Sequence, residues 1–327
     1  MDALLRKRMS RDRGRKRPPE SRRMKGAAAQ RRIVVTGAAG LVGRSVVQQL
    51  VRRGDDVLAV LRPNVSANAL PAGVSAVEID LGEKPEQALA ALGRFDALIH
   101  LAQAPGWHGF PKQAGAIARI NVAASAALAE AAIAAGARCM VMASSGGIYG
   151  PSPTPIREES PIKPGDELGF YLAAKAAAES LLGYFRPHLL VHVLRPFFVY
   201  GPGQAPSFLL PRLVNSVRSG TAVRVDGGTG PAINPIWVED AAAAFIAALG
   251  CDTAVTANIA GPDVVTVREI ATLVAARLGV TANFDETARA PDNYVADTSV
   301  MAHKLGAATT SFETGLSALI DRLPPET

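Results

Sequence analysis

The stretch Ile33-Val34-Val35-Thr36-Gly37-Ala38-Ala39-Gly40-Leu41-Val42-Gly43 decides how this chain folds. It begins with a short β-branched run, Ile33 to Val35, which favours a strand, and passes into a segment that holds three glycines. Residues 44–53 follow with apolar side chains at helical spacing. The stretch therefore predicts a strand, a tight glycine turn and a helix.

Each glycine of this turn is required for a different steric reason. Gly37 allows the tight turn, Gly40 lets a pyrophosphate approach the backbone, and Gly43 lets the helix pack against the strand. The anion would lie at the start of the helix, around Leu41 and Val42, where free N–H groups and the helix dipole favour negative charge. The turn thus predicts a dinucleotide-binding site.

The residue after the second strand bears on which dinucleotide is bound. Val57 to Leu61 reads as that strand, and Arg62 follows it at about the ~20-residue offset where the ribose is recognised. An acidic residue there would accept from the 2′-hydroxyl of NAD, whereas Arg62 can pair with the 2′-phosphate of NADP. The cofactor is expected to be NAD or NADP, with NADP favoured, unless Arg62 only stacks on adenine or faces solvent.

Strands and helices continue to alternate along the chain. This order predicts an α/β fold with a doubly wound parallel sheet, and ligands at the carboxyl ends of the strands. The further elements are strands over residues 75–79 (followed by Asp80-Leu81), 97–101 (followed by Ala102-Gln103) and 138–143, and a long alanine-rich helix over residues 112–135.

A serine, a tyrosine and a lysine follow the fifth strand in an order that suits proton transfer. Ser145 lies at the carboxyl end of the strand, and a helix beginning near Leu168 carries Tyr171 and Lys175. Their i, i+4 spacing places phenol and ammonium on one face, so we expect the cation to lower the phenol pKa toward neutrality. Tyr171 could then act as general acid and base at a carbinol or carbonyl, with Ser145 donating to the same oxygen.

With these motifs the sequence, from about residue 31 onward, resembles the extended short-chain dehydrogenase/reductase family. Within it the chain is similar to the NAD(P)-dependent sugar epimerase/dehydratase group, and in particular to UDP-glucose 4-epimerases. The landmarks are the glycine turn from Gly37 to Gly43, Asp80-Leu81, His100-Leu101-Ala102, Asn121, Ser145, Tyr171 with Lys175, Arg195-Pro196, Tyr200-Gly201-Pro202, Val238-Glu239-Asp240, Arg289-Ala290-Pro291-Asp292 and Asp297.

The resemblance implies roles for several of these residues. Lys175 would also bind the nicotinamide ribose, and Arg289 would hold a substrate phosphate. Asn121 would fix a helix bend, or else be an ordinary polar residue on the helix surface. The other cofactor contacts that it implies are Asp80 and Leu81 beside the adenine, Leu101, Ala102 and Gln103 along the dinucleotide, and Pro196.

The same resemblance implies a homodimer that forms through the long helix and the Tyr/Lys helix. Three further landmarks are expected to be structural: His100 as a hydrogen-bonded strand-end histidine, and Arg195 and Asp240 as capping or ion-pairing residues. No pair of the five histidines has the context of a metal site, so no metal is expected.

The chain departs from the family pattern at positions that contact substrate. Dehydratases of this group carry a Thr-Asp/Glu pair where this sequence has Gly146 and Gly147, so dehydration loses its acid and base. Nucleotide-sugar epimerases usually carry an asparagine at Phe198 and an arginine near Ile233, both used on the substrate diphosphate. Arg212 or Asn234 are the alternatives that could replace them.

The basic residues are concentrated at the start of the chain. The 327 residues carry a net charge of +6, but residues 1–32 hold 13 Lys/Arg against 3 Asp/Glu, and the remainder holds 22 against 26. Residues 1–30 are expected to be a disordered tail, either solvated or in non-specific contact with nucleic acid or anionic lipid, unless the chain begins at Met24. No specific nucleic-acid partner is therefore expected.

The apolar runs and the cysteines bear on the compartment. The longest unbroken apolar run, residues 241–249, is shorter than the roughly 18 residues that a membrane span needs, so no membrane span is expected. Cys139 and Cys251 cannot form a disulfide framework, which favours a reducing, cytoplasmic location.

These features lead to one leading function and two alternatives. We expect a Rossmann domain over 31–202 plus 234–261 and a substrate domain over 203–233 plus 262–327, with the segment 191–201 and the helix 238–249 returning to the main sheet. The leading function is an epimerase of a nucleotide sugar that acts through a transient keto intermediate. An NADPH-dependent reductase of a ketone or keto-sugar, or a non-catalytic dinucleotide-sensing module, are the alternatives.

Overall fold

The structure, a computed structural model, describes residues 30–67, 70–83, 85–90, 92–106 and 109–323. Except for Gln30, the basic tail of residues 1–30 lies outside the described residues, and so does the alternative start at Met24. The expectations for that tail therefore stay predictions.

A seven-stranded parallel sheet forms the centre of the described chain. Its strands are β1 (Arg32–Thr36), β2 (Asp56–Leu61), β3 (Ser75–Glu78), β4 (Ala97–His100), β5 (Cys139–Ala143), β6 (Leu190–Pro196) and β11 (Thr256–Ile259). Their order in the sheet is β11-β6-β5-β4-β1-β2-β3, and every neighbouring pair is parallel. The predicted α/β fold with a doubly wound parallel sheet is confirmed.

Helices cover both faces of this sheet and bury its β-branched and aliphatic side chains. One face packs against α1 (Leu41–Arg52), α7 (Val238–Ala248) and α9 (Ser299–Lys304). The other packs against α2 (Pro85–Ala90), α4 (Ala124–Ala135) and α5 (Gly165–Gly183). Burial of apolar surface on both faces, at about 25 cal/mol per Å², is what holds the three layers together.

A separate apolar cluster lies in the C-terminal part of the chain, where Leu213, Val225, Ile270 and Leu319 are buried together. It is built from short strands and three longer helices. The division into a Rossmann domain and a substrate domain stays a prediction. The elements of this part are β7 (Val199–Tyr200), α6 (Leu209–Arg218), β8 (Val223–Asp226), β9 (Ala232–Ile233), β10 (Ile236–Trp237), β12 (Val265–Thr266), α8 (Val267–Leu278), β13 (Phe284–Thr287) and α10 (Phe312–Arg322).

Two predicted elements differ from the structure. The long helix begins at Ala114 rather than at residue 112, and its first part is α3 (Ala114–Ile117) followed by a π-helical segment (Ala118–Ala123). Only part of the segment 191–201 returns to the main sheet, because β7 pairs with β10 in a separate two-stranded sheet. Phe198, with a φ of 44°, lies between β6 and β7 and redirects the chain there.

One helical stretch of the described residues, Ala114–Ala135, is long and apolar enough to cross a bilayer by length and composition alone. Its Ala124, Leu128 and Ala132 are fully buried and belong to the cluster that covers one face of the sheet. The apolar character of this stretch is therefore accounted for by packing, as in the core helix of a globular protein.

Candidate active site

The predicted site residues lie along the carboxyl edge of the central sheet, except for Arg289, which follows β13 in a separate two-stranded sheet. In the central sheet β1 has β2 on one side and β4 on the other, and the chain continues outward through β5 and β6. This is the switch point at which open α/β sheets bind ligands, because the loops on its two sides diverge and leave a crevice.

The glycine turn is closed tightly against the loop that follows β4. Gly37 has a φ of 68°, and a Cβ atom there would lie 2.7 Å from the backbone nitrogen of Ala102. A Cβ on Gly43 would lie 2.1 Å from the Gly37 carbonyl oxygen. Gly40 precedes α1, and no side chain of the described residues caps the start of this helix. The Gly40 N–H donates to the Gly37 carbonyl at 2.9 Å, so the donors that this start offers to an anion are those of the first helical residues after Gly40. Binding of an anion at Gly40, Leu41 and Val42 stays a prediction.

The remaining predicted cofactor contacts follow the neighbouring strands. Arg62 is exposed directly after β2. The Asp80 carboxylate accepts a hydrogen bond from the backbone N–H of Gly82 at 2.8 Å, and Leu81 is buried. The backbone nitrogens of Leu101 and Ala102 donate to the Thr36 carbonyl and hydroxyl oxygens, and Pro196 ends β6. These residues line one continuous edge.

His100 is structural, as predicted. Its Nδ1 lies 2.7 Å from the Thr36 hydroxyl and its Nε2 lies 3.0 Å from the Ser125 hydroxyl. Burial, helped by the charge of Lys175, lowers the pKa of His100 to about 3. This neutral imidazole is hydrogen-bonded on both sides, so it holds β4 to β1 and to α4 and is not placed to transfer protons.

Ser145 lies at the end of β5, where the chain enters a 3₁₀ turn (Gly146–Tyr149). Its hydroxyl oxygen accepts from the backbone N–H of Gly147 at 3.2 Å and so caps that turn. A Cβ on Gly147 would lie 3.4 Å from the Ser145 hydroxyl and 3.0 Å from the side chain of Leu172. The serine is therefore close to the part of α5 that carries Tyr171.

Tyr171 and Lys175 lie one turn apart on α5, but their charges do not interact as predicted. The Lys175 ammonium is buried, donates to the Ala143 carbonyl at 2.9 Å, and lies 6.0 Å from the centroid of the Tyr171 ring. Burial lowers the pKa of Lys175 to about 8, and burial raises the pKa of Tyr171 to about 12. The predicted lowering of the phenol pKa is wrong for the protein without ligand, because desolvation outweighs a cation directed at a carbonyl.

The start of α5 has a break that the sequence did not predict. Helical structure begins at Gly165, but Gly169, with φ 69° and ψ 154°, is not helical and separates a first short turn from the helix that carries Tyr171. The part that carries Tyr171 thus begins close to the predicted start near Leu168. Tyr171 therefore lies in the first turn of the helical segment that follows this break. The glycine at position 169 is the signal that could have located it, since this conformation disfavours other residues.

Aromatic side chains occupy the positions where the family pattern is lost. A Cβ on Gly146 would lie 2.2 Å from the ring of Phe197, so this ring fills the space that a threonine would need. Phe198 has a φ of 44°, which is strained for a bulky residue, and its ring packs edge-on against Tyr294 at 6.1 Å. The wall beside Ser145 is apolar.

Arg212 and Asn234 were the two residues that could replace the missing diphosphate-binding asparagine and arginine, and only one of them has a side chain that is exposed. The amide of Asn234 is committed, because it donates to the Ala296 carbonyl at 3.0 Å and accepts from the Ala296 N–H at 2.9 Å. Asn234 as a substitute for the lost arginine is therefore wrong. Arg212 is exposed on α6. Arg289 is 60% exposed and pairs with Asp292, an ion pair at the surface that a phosphate could displace at small cost.

Asn121 is buried in the π-helical segment of the long helix. Its side-chain oxygen accepts from the backbone N–H of Ala104 at 3.0 Å, and its buried Nδ2 has no hydrogen-bond partner among the described residues. The alternative that Asn121 is a surface residue is wrong. The asparagine instead joins the loop after β4 to the helix, at the place where the helix is distorted.

Arg195 and Asp240 are structural, as predicted. Arg195 forms a buried ion pair with Glu179 at 2.6 Å and also donates to the Tyr149 hydroxyl. Asp240 accepts from the backbone N–H of Thr310 at 2.9 Å. Within the described part of the chain, no three His, Cys, Asp or Glu side chains come together as metal ligands.

The residues at the switch point fit a dinucleotide. A Cβ on Gly37 or Gly43 would close the glycine turn, and the uncapped start of α1 offers N–H donors to a pyrophosphate. When bound, the dinucleotide supplies a carbon that accepts and returns hydride. The described residues of this edge therefore suit such a ligand both in shape and in charge.

Comparison with known proteins agrees with this geometry. The family described as the NAD dependent epimerase/dehydratase family matches residues 33–260. A UDP-glucose 4-epimerase of Mycolicibacterium smegmatis is 29% identical over 232 residues, which is 67% of this chain and 73% of that protein. A 2-alkyl-3-oxoalkanoate reductase of Stenotrophomonas maltophilia is 30% identical over 225 residues, which is 66% of this chain and 64% of that protein.

The fold is also shared with solved structures. The Thermus thermophilus UDP-glucose 4-epimerase, solved as a complex with NAD, has a TM-score of 0.75 at 25% identity, with 89% of this chain and 98% of that chain covered. The resemblance to extended short-chain dehydrogenases/reductases is thereby confirmed, and with it the prediction that the chain is an NAD-type enzyme of that class. The protein belongs to the NAD dependent epimerase/dehydratase family.

Proposed function

We propose that this protein is an NAD(P)-dependent epimerase of a nucleotide sugar. The observation that carries the proposal is the placement of Ser145, Tyr171 and Lys175 at the sheet edge that also holds the glycine turn. A proton donor and acceptor thus lies next to the site where hydride is exchanged. The family and the named epimerases among its relatives support the same reaction class.

Three side chains have assigned parts in the reaction. In its ionised form Tyr171 would take the proton of the substrate hydroxyl, and a dinucleotide held at the glycine turn would supply the acceptor for the hydride of the same carbon, so that the substrate becomes a keto-sugar. Ser145 donates a hydrogen bond to the reacting oxygen. Lys175 holds the nicotinamide ribose and supplies the positive charge nearest the phenol. Inversion would be complete when Tyr171 gives its proton back to the oxygen and the same hydride is returned to the opposite face of the ketone, with no net consumption of the dinucleotide.

The dinucleotide is held by residues along the switch point. Gly37, Gly40 and Gly43, with the N–H groups of Leu41 and Val42, receive the pyrophosphate. Arg62, exposed where the 2′ position of the ribose is read, supports binding of NADP in addition to NAD. The remaining contacts in the proposal are Asp80 and Leu81 at the adenine, Leu101, Ala102 and Gln103 along the chain of the cofactor, and Pro196.

A second candidate is a reductase of a ketone or keto-sugar. It is favoured by the apolar wall that Phe198 and Tyr294 form where a diphosphate-binding asparagine would be expected. The S. maltophilia relative is named a 2-alkyl-3-oxoalkanoate reductase, and this name describes a keto acid that carries alkyl chains and no nucleotide. The same three catalytic residues would then perform one half-reaction, with NADPH as consumed reductant.

The quaternary and domain arrangements complete the proposal. A homodimer through α4 and α5 is supported by the exposure of Ile133 on α4 and Leu181 on α5, two apolar side chains on adjacent helices. The substrate, bound at Arg289 and Ser145, would lie in a cleft between residues 31–202 plus 234–261 and residues 203–233 plus 262–327. Light scattering and limited proteolysis test these two statements.

The identity of the retained cofactor tests the proposed function. Freshly purified protein is denatured and the released nicotinamide nucleotide is identified by mass spectrometry. An epimerase regenerates its cofactor in each cycle, so retention in a near-stoichiometric amount is expected. A protein that is empty, and that oxidises NADPH in proportion to added carbonyl compound, would replace the epimerase with the reductase.

A further inference from the structure

Tyr171 has a hydrogen-bond partner that the sequence did not assign to it. Its hydroxyl donates to the side-chain oxygen of Gln103 at 2.9 Å. Gln103 follows β4, two residues beyond Leu101, and its side chain is exposed. The contact therefore lies on the open side of the sheet edge, between the glycine turn and the helix that carries Tyr171.

A carboxamide can pair with both protonation states of a phenol. Its oxygen accepts from the phenol O–H, as observed for Gln103, and its NH₂ group donates to a phenolate after a half-turn about the last side-chain torsion. A carboxylate can only accept, and a thioether offers little of either. Among these side chains of similar length, only glutamine remains a partner while the tyrosine gains and loses its proton.

The charged and titratable groups nearest Tyr171 have hydrogen-bond partners of their own. The Lys175 ammonium is directed at the Ala143 carbonyl, and the neutral His100 ring lies between the hydroxyls of Thr36 and Ser125. Burial is the cause that raises the pKa of Tyr171. The other titratable side chains on the described elements packed against α5, and in the described part of the loop after Gln103, are Lys112, Arg119, Glu130, Tyr149, His192 and Arg195, with Asp166, Glu167 and Glu179 on α5 itself.

We propose that Gln103 is a positioning residue for Tyr171 that holds the phenol through its amide oxygen and the phenolate through its amide NH₂. The proposal deepens the proposed function, because it rests on Tyr171 as acid and base. In the oxidative half-reaction the substrate hydroxyl proton moves to the phenolate oxygen while hydride leaves the adjacent carbon for the oxidised dinucleotide. In the reductive half-reaction the same proton and hydride return, so no additional reactant is needed.

This arrangement predicts different effects for two substitutions. Gln103→Glu keeps the acceptor and places a negative charge beside the phenolate, so it raises the pKa of Tyr171. Gln103→Met keeps the length and removes both hydrogen-bonding groups, so the hydroxyl loses its fixed direction. Matched controls are Gln48→Glu and Gln48→Met, because Gln48 is exposed on the middle of α1.

The test titrates Tyr171 in the full-length protein labelled with difluorotyrosine, because the fluorine atoms make the hydroxyl more acidic and bring its ionisation into a pH range where the protein is folded. The fluorine NMR signal of Tyr171 is identified by its loss in Tyr171→Phe, and the signal of Tyr184, which is 83% exposed, is the internal reference. We expect Gln103→Glu to lower the ionisation constant of Tyr171 at least tenfold and to leave Tyr184 unchanged. A shift no larger than that of Gln48→Glu would overturn the proposal.

Kinetics of the active enzyme provide the second arm. Gln103→Met is expected to reduce kcat at least tenfold with KM within about threefold of the wild type, whereas Gln48→Met changes neither. Equal kcat values for Gln103→Met and the wild type would also overturn the positioning role. The titration needs no substrate, so it gives the same answer about Gln103 if the protein proves not to be an epimerase.

Discussion

The Lys175 ammonium donates a hydrogen bond to the backbone carbonyl of Ala143 at 2.9 Å, and this bond joins the middle of α5 to the last residue of β5. Tyr171 lies one helical turn before this contact, and Ser145 lies two residues after it in the other element. One buried hydrogen bond thus sets the separation of the two groups that, in the proposed mechanism, meet a single substrate oxygen. The cation therefore has a structural role, in addition to the chemical one that the proposed function gives it.

Burial of this ammonium predicts that Lys175→Met stabilises the protein while it abolishes turnover. Below pH 8 both the folded and the unfolded chain carry the proton, and the folded state bears the full desolvation penalty. The pKa falls from 10.5 to about 8 on folding, so the variant should gain roughly 2 kcal/mol in free energy of unfolding at pH 7, after allowance for the lost hydrogen bond.

The gain should shrink as the pH rises from 8 to 10.5, because the unfolded wild type then binds more protons than the folded one. Urea denaturation of both proteins across this range measures the difference directly. A variant that is less stable than the wild type at pH 7 would contradict the burial of a charged Lys175.

Close approach of Gly37 to the loop after β4 predicts a large penalty for Gly37→Ala. The added Cβ would lie 2.7 Å from the Ala102 nitrogen at a φ of 68°, so overpacking and the left-handed conformation together should cost about 3 kcal/mol and abolish dinucleotide binding. Gly54→Ala is the matched control, since Gly54 has a φ of 83° but no atom of the described residues within 4 Å of an added Cβ, and it should cost only about 1 kcal/mol. Thermal unfolding and dinucleotide titration distinguish the two; equal losses would show that φ alone matters.

The position of Arg62 directly after β2 predicts that its side chain strengthens the binding of NADP relative to NAD. Arg62→Ala should weaken NADP binding about tenfold, as expected for loss of a charge-assisted hydrogen bond at an exposed site, and leave NAD binding within twofold. Isothermal titration calorimetry with both nucleotides measures the ratio. Arg52→Ala, at the exposed end of α1, controls for loss of general positive charge. An unchanged ratio in Arg62→Ala would mean that Arg62 faces solvent.

The left-handed conformation of Phe198 predicts a tolerant response to Phe198→Asn. Asparagine adopts a φ near 44° more easily than phenylalanine does, and this offsets the lost contact with Tyr294, so stability should change by less than about 1 kcal/mol. The new amide should strengthen binding of UDP at least threefold, because a donor would then stand where nucleotide-sugar epimerases use one. Tyr184→Asn, on the exposed end of α5, is the control. Unchanged UDP affinity would favour the reductase.

Much of the fold followed from local patterns. The β-branched run ending at Val35, the glycines from Gly37 to Gly43 and the regular alternation of strands and helices have few compatible arrangements, because a glycine turn between strand and helix packs in one way. Strand limits were accurate to within one residue for β1 to β5, since most of these strands are short runs of apolar residues buried on both faces. The spacing of Tyr171 and Lys175 likewise required only helical geometry.

The features that escaped prediction depend on contacts between distant segments. The sequence left two alternatives open for Asn121, and its bond to the backbone of Ala104 decides against the surface one. The partner of Tyr171 is an exposed glutamine whose neighbourhood no local pattern reveals. The pKa of Tyr171 was misjudged because the spacing places Lys175 near the phenol but does not indicate that its ammonium is held by Ala143. Local sequence patterns predict the order of the site residues along the chain, whereas tertiary packing determines their hydrogen-bond partners and pKa values.

Transfer of deuterium between the two epimers tests the central claim most directly. A UDP-, GDP- or dTDP-hexose labelled at the carbon to be inverted is incubated with the wild type and with Tyr171→Phe, and the products are followed by NMR. The account predicts that the wild type interconverts one epimer pair with the label retained and the nicotinamide absorbance unchanged, and that Tyr171→Phe is at least a thousandfold slower. Absence of interconversion for every pair, or a one-way reaction that consumes NADPH, would contradict it.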